Sequence, residues 1–117
     1  MVGPWTYLHR AGNAALRYRK DRRRYAVGAL AIRADGASTS SRNEAATAPQ
    51  RTAHAEYRVL RKSGIGAVLY VARVRRDGSF GVAKPCSSCM AAMHSHKAKR
   101  CYYSISDTAY GVIVFDR

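Results

Sequence analysis

The sequence is poor in acid. Seven aspartates and glutamates stand against 21 lysines and arginines in 117 residues, a formal net charge of +14 at neutral pH. A surplus of that size favours anionic partners such as nucleic acid, nucleotides or a membrane surface. Long apolar runs are missing as well. No stretch approaches the roughly 18 residues a membrane span needs. Met1 to Arg10 holds no continuous apolar segment, so no secretory leader and no membrane partner are expected. Cysteine is scarce: three residues, an odd number, argue against a disulfide framework and make a reducing cytoplasm the expected compartment. No internal repeat is present. The remaining composition, 47% hydrophobic, suits one domain over residues 1–117 with one core.

Against this background two short stretches stand out, His54-Ala55-Glu56 and Pro85-Cys86-Ser87-Ser88-Cys89. The first offers an imidazole and a carboxylate two residues apart. The second offers two thiols spaced to share one face of a helix's first turn. One histidine and two cysteines suit a catalytic Zn²⁺ site, which takes three protein ligands and leaves the fourth position open. Two thiolates would cancel the charge of the ion, and helix N-termini aimed at it would restore positive potential. Both stretches lie where a helix should begin. Thr52 or Ala53 precedes an apolar-periodic run, and Pro85 is of the type favoured at a first helical position. Other uses of Cys-x-x-Cys fit less well. A redox pair needs no preceding His-x-Glu, a zinc ribbon needs a second Cys-x-x-Cys, and His94 and His96 are too close to each other and to Cys89 for a finger.

The ordered pair His-x-Glu and Pro-Cys-x-x-Cys is the signature of the zinc nucleobase deaminases. The chain resembles the cytidine deaminase-like superfamily, and in length and order it is similar to small single-domain deaminase-like proteins of bacteriophages. Val27-Gly28-Ala29-Leu30, with a helix before it, resembles the first strand of small cytidine deaminases. The resemblance implies His54, Cys86 and Cys89 as zinc ligands and Glu56 as proton shuttle. Asn43-Glu44-Ala45 is similar to the stretch that contacts the sugar, although the Asn-x-Glu-Asn arrangement of the family is not reproduced. Asn43 is therefore a candidate substrate contact. The loop before Pro-Cys borders the pocket in this family, which makes Phe80 a candidate for base stacking and Lys84 for phosphate contact. Ala55 and Pro85, inside the two motifs, complete the expected substrate-contact set.

Along the chain, a helix is expected from Pro4 to about Lys20, with Trp5, Leu8, Ala15 and Leu16 on its apolar stripe and Gly12-Asn13 as a weak point. Arg17, Arg19, Lys20, Arg22, Arg23 and Arg24 form a basic run after it. Strands are expected over Tyr25–Arg33, Ala37–Arg42, Ala67–Val74, Arg100–Ile105 and Tyr110–Phe115, and helices over His54–Ser63 and Cys86–Lys97. Arg58, Arg61 and Lys62 should face outward. Ser106-Asp107-Thr108-Ala109 is too short for a helix and should leave the last two strands antiparallel, the cytidine-deaminase-type arrangement. This order gives an α/β fold, a three-layer α/β/α sandwich around a mixed sheet of about five strands.

The expected function is zinc-dependent hydrolysis of cytosine to uracil in a nucleoside or nucleotide of the cytidine, CMP or dCMP class. The alternatives are a deaminase acting on single-stranded DNA or RNA and an inactive nucleic-acid-binding protein with a structural zinc. The charge, with Arg51 and Arg58 around His54 and Lys84 beside Pro85, favours a phosphate-bearing substrate. Ala92-Met93-His94-Ser95 is similar to a stretch of tRNA adenosine deaminases, so cytosine and adenine both remain open. The resemblance further implies a homo-oligomer.

Overall fold

The computed structural model describes residues 3–16, 26–43 and 54–115. Helix α1 spans Pro4–Ala15, with Pro4 opening its first turn. Leu8, Ala11 and Ala15 recur at helical spacing and are fully buried, with Trp5 and Leu16 partly buried beside them. The helix runs unbroken through Gly12-Asn13. Gly12 is needed for packing there: a Cβ would lie 2.9 Å from the Phe80 ring. The basic run from Arg17 to Arg24 falls outside the described residues.

The strands are β1 Ala26–Ile32, β2 Ser38–Arg42, β3 Val68–Val74, β4 Phe80–Gly81, β5 Arg100–Ser104 and β6 Tyr110–Val114. Their order is β2-β1-β3-β5-β6, with the two-residue β4 pairing on β3. Among the described strands only β3 and β5 pair in parallel. The sheet thus has the five expected strands and one short addition. The hairpin of β5 and β6 is antiparallel, closed by the short turn at Ser106–Ala109.

Helices α2, Ala55–Ser63, and α3, Ser87–Ser95, cover the sheet face opposite α1. The alternation of β3 divides the core. Leu69 and Val71 join Ala29, Ala31, Val59, Leu60, Met93 and Cys101 beneath α2 and α3, whereas Tyr70, Ala72 and Val74 join Leu8, Leu30 and Phe80 beneath α1. The α/β/α layering is the one expected from the order of elements. Two details differ from the sequence expectation. The N-caps of α2 and α3 are His54 and Cys86, so Pro85 precedes the cap instead of opening the helix. Arg58 and Lys62 do not simply point into water. Arg58 Nη1 donates to the Arg42 carbonyl at 2.8 Å and Lys62 Nζ to the Ser40 carbonyl at 2.5 Å, capping backbone acceptors of the edge strand β2.

The connections decide where chemistry can occur. Each of α2 and α3 is followed by a strand of the parallel pair, so each helix runs back along that strand and begins at its carboxyl end. Both N-termini therefore meet at one edge of the sheet, beyond the carboxyl ends of β3 and β5. Open α/β sheets place their ligands at such edges.

Candidate metal centre and cavity

The two N-cap residues bring the donors together. His54 Nδ1 lies 3.4 Å from Cys89 Sγ and 3.9 Å from Cys86 Sγ, and all three donor atoms fall within 4.8 Å of one another. Tetrahedral zinc, with metal–nitrogen about 2.0–2.1 Å and metal–sulfur about 2.3 Å, holds nitrogen and sulfur about 3.5 Å apart. The observed separations bracket that edge, so the donor set fits zinc in number, type and spacing. Cys89 is buried and Cys86 exposed, which leaves one side of the triangle open. Burial acts to raise the proton affinity of the Cys86 thiol, but the Ser88 hydroxyl at 3.2 Å, the Cys89 N–H and the Cys89 thiol together outweigh it and hold Cys86 below its ordinary value. A thiol so held is readily supplied as thiolate. The N-termini of α2 and α3 add positive potential at the same point.

Glu56 follows His54 by two residues in the first turn of α2. The residue is 6% exposed. Burial raises its proton affinity above the usual carboxylate value, opposed by hydrogen bonds to its own backbone N–H and to the Cys89 side chain. The contact with Cys89 puts the carboxyl against the donor triangle. Cys101 lies fully buried on β5, and burial followed by the Glu56 charge raises its thiol well above the ordinary value. It stays a neutral core residue.

These groups open onto a cavity of about 280 Å³, lined by Val27, Asn43, His54, Ala55, Glu56, Arg73, Val82, Ala83, Lys84 and Cys86. Of the residues expected from the sequence, His54, Glu56, Cys86, Asn43, Ala55 and Lys84 line it, and Cys89 lies beneath as a metal donor. Asn43, 2% exposed, is also a structural clamp: Val27 N–H donates to its Oδ1 at 2.9 Å while its own N–H donates to the Val27 carbonyl at 3.0 Å. Pro85 is buried and does not line the cavity.

Phe80 corrects the sequence expectation. It does not line the cavity. Its ring stacks on Trp5 at 6.3 Å, packs against His9 at 5.1 Å, and belongs to the core beneath α1. The pairing of Phe80 with Val74 turns its side chain to the α1 side, and Gly81, paired with Arg73, takes the cavity side. The structure thus places Phe80 in the core beneath α1 instead of at the cavity wall. Arg58 is engaged at β2 and does not line the cavity either, and Arg51 is outside the described residues. Sequence reasoning missed Val27, Arg73, Val82 and Ala83. Arg73 carried one readable signal, a cation breaking the apolar series Leu69, Val71 on one face of a strand.

Solved structures share this architecture. Cytidine deaminase from Mycobacterium tuberculosis superposes with a TM-score of 0.62 at 22% identity, over 89% of this chain and 85% of that one. A variant of that enzyme with a glutamate replaced by glutamine gives 0.56 at 24% identity, over 89% of this chain and 86% of that one. One with a glutamate replaced by aspartate also gives 0.56 at 24%, over 89% and 83%. These likenesses establish the fold. No curated protein sequence matches the chain significantly. Layered sheet, histidine–dicysteine centre and family match together define the class of zinc-dependent hydrolytic deaminases. Residues 5–105 match the family described as the cytidine and deoxycytidylate deaminase zinc-binding region, and the chain belongs to that family. Among the described residues no helix is long and apolar enough to cross a membrane.

Proposed function

We infer that the protein hydrolyses the exocyclic amine of cytosine in a nucleoside or nucleotide of the cytidine, CMP or dCMP class, yielding uracil and ammonia. The observation that carries this reading is the buried Glu56 carboxyl, held against Cys89 and facing a cavity that also exposes His54 and Cys86. A purely structural zinc needs neither the carboxyl nor the cavity.

Zinc bound by His54, Cys86 and Cys89 supplies Lewis-acid activation of water at neutral pH. Glu56 takes a proton from the attacking water as its oxygen bonds to the amine-bearing carbon, and hands that proton to the adjacent ring nitrogen. The same carboxyl then takes the second proton from the newly formed hydroxyl and passes it to the departing amine, so that the carbonyl closes as the carbon–nitrogen bond breaks. Atoms balance as water plus cytosine to uracil plus ammonia. A carboxyl whose proton affinity is raised by burial suits both directions of transfer. Ala55, small and buried between ligand and shuttle, leaves room for the base to approach. Asn43, locked by Val27, offers a rigid polar group to the sugar. Lys84 stands at the exposed rim for a phosphate.

The test is turnover by the zinc-loaded protein of cytidine, CMP, dCMP, a cytosine-containing single-stranded oligonucleotide and the adenosine counterparts, followed by ammonia release. Activity on at least one cytosine mononucleoside or mononucleotide is expected. Activity confined to adenosine compounds, or to the oligonucleotide, contradicts the reading.

A further inference from the structure

We propose that Arg73 recognises a phosphate group on the substrate. The inference rests on the cytosine reading above and narrows it from the neutral nucleoside to phosphate-bearing forms.

Arg73 occupies the last cavity-facing position of β3. Leu69 and Val71, four and two residues earlier on the same face, are fully buried in the core beneath α2 and α3. Where a third apolar residue would extend that stripe, the chain places a guanidinium, half-buried and lining the cavity of Glu56. Its position is fixed from both sides. In the sheet it pairs with Val27 on β1, which Asn43 clamps, and with Gly81 on β4. Gly81 gives its stem room: a Cβ there would lie 3.4 Å from Arg73 Cδ and 3.1 Å from Arg75 Nε. Arg75, the next residue of that face, continues the positive charge outward. Asn43, Val27, Arg73 and Gly81 thus form one row across the sheet, and the first three of them line the cavity.

The donor set selects the ligand chemistry. Among the described residues lining the cavity, Arg73 and Lys84 are cations and Glu56 is the one acid. A guanidinium is permanently charged, and its planar fork matches two phosphate oxygens at once. A lysine at the rim adds a point charge to the same anion. A neutral nucleoside presents nothing of that charge.

The experiment compares zinc-loaded wild type, Arg73→Gln and Arg73→Lys on cytidine, CMP, dCMP and a short cytosine-containing oligonucleotide. Binding of the products uridine and UMP is measured by calorimetry alongside. Wild type should bind UMP more tightly than uridine, by a margin that shrinks as salt rises. Arg73→Gln should lower kcat/KM for phosphate-bearing substrates about tenfold or more beyond its effect on cytidine, chiefly through KM. Arg73→Lys should recover part of the loss. A differential loss on CMP and dCMP identifies a phosphate monoester, and one on the oligonucleotide a phosphodiester. Equal losses on cytidine and its phosphates, or equal wild-type affinity for uridine and UMP, overturn the proposal. Absence of all cytosine turnover sinks the proposed function instead, and the uridine–UMP comparison then still decides the role of Arg73. If Arg73→Gln fails to fold, the lysine variant and the wild-type affinity ratio decide it.

Discussion

At the scale of single residues, the centre depends on groups with opposed demands. Glu56 must be buried to keep a high proton affinity, yet must stay ionisable to move protons. The cost shows as pH dependence in the metal-free protein. Because the folded state raises the Glu56 proton affinity, it holds the proton at pH values where the unfolded chain has released it. The resulting stability is full below the usual carboxylate range, about pH 4–4.5, and is lost as pH rises through the elevated folded value. Metal-free Glu56→Gln should therefore melt higher than metal-free wild type at neutral pH, with the gap closing towards pH 4. A constant gap across pH would show that burial does not perturb the carboxyl. Asn43 carries a second double duty. Asn43→Ala leaves the partly buried Val27 N–H without its acceptor and should cost about 1–3 kcal/mol in denaturant unfolding. It should also lower kcat/KM with zinc content unchanged. An unchanged unfolding midpoint would remove the clamp.

Element by element, close packing of α1 on the sheet holds the floor of the cavity in place. Gly28 on β1 is the contact point: a Cβ there would collide with the Ala11 carbonyl oxygen and lie 2.6 Å from Ala15 N. Backbone atoms cannot rotate away as a side chain can. Gly28→Ala should therefore destabilise by about 3 kcal/mol or more, beyond the usual cost of overpacking. A neutral effect on the denaturation midpoint would mean that α1 does not sit as described. The elements also explain what was legible in sequence. His54 and Glu56, and Cys86 and Cys89, are close neighbours in the chain at helix starts, so local spacing revealed them. Leu8 and Ala15 were legible through helical periodicity. Phe80 was not, and Arg73 showed only as a charge within an apolar strand, because their roles depend on strand register. The short β4 was unreadable from two residues, yet its pairing decides that Phe80 faces α1 and Gly81 faces the cavity. Likewise Gly12 reads as a helix breaker until the Phe80 ring against it is known.

For the whole molecule, the metal ties together parts far apart in sequence. His54 begins α2 and Cys86 and Cys89 begin α3, and these helices roof one core. Binding to the folded state alone should stabilise by about 4 kcal/mol when free zinc is a thousandfold above Kd. Chelation should accordingly lower Tm by roughly 15 °C, and zinc should restore it. Cys86→Ser and Cys89→Ser should melt near the chelated wild type and respond little to added zinc. Full zinc occupancy in either variant would remove that cysteine from the centre. The most direct test of zinc-dependent deamination with Glu56 as shuttle is ammonia release by zinc-quantified wild type and Glu56→Ala on the same cytosine substrate. One zinc per chain is predicted in both proteins, with turnover in wild type and a loss of about 10²–10⁴-fold in Glu56→Ala. A Glu56→Ala protein that holds zinc and turns over at the wild-type rate would contradict the account.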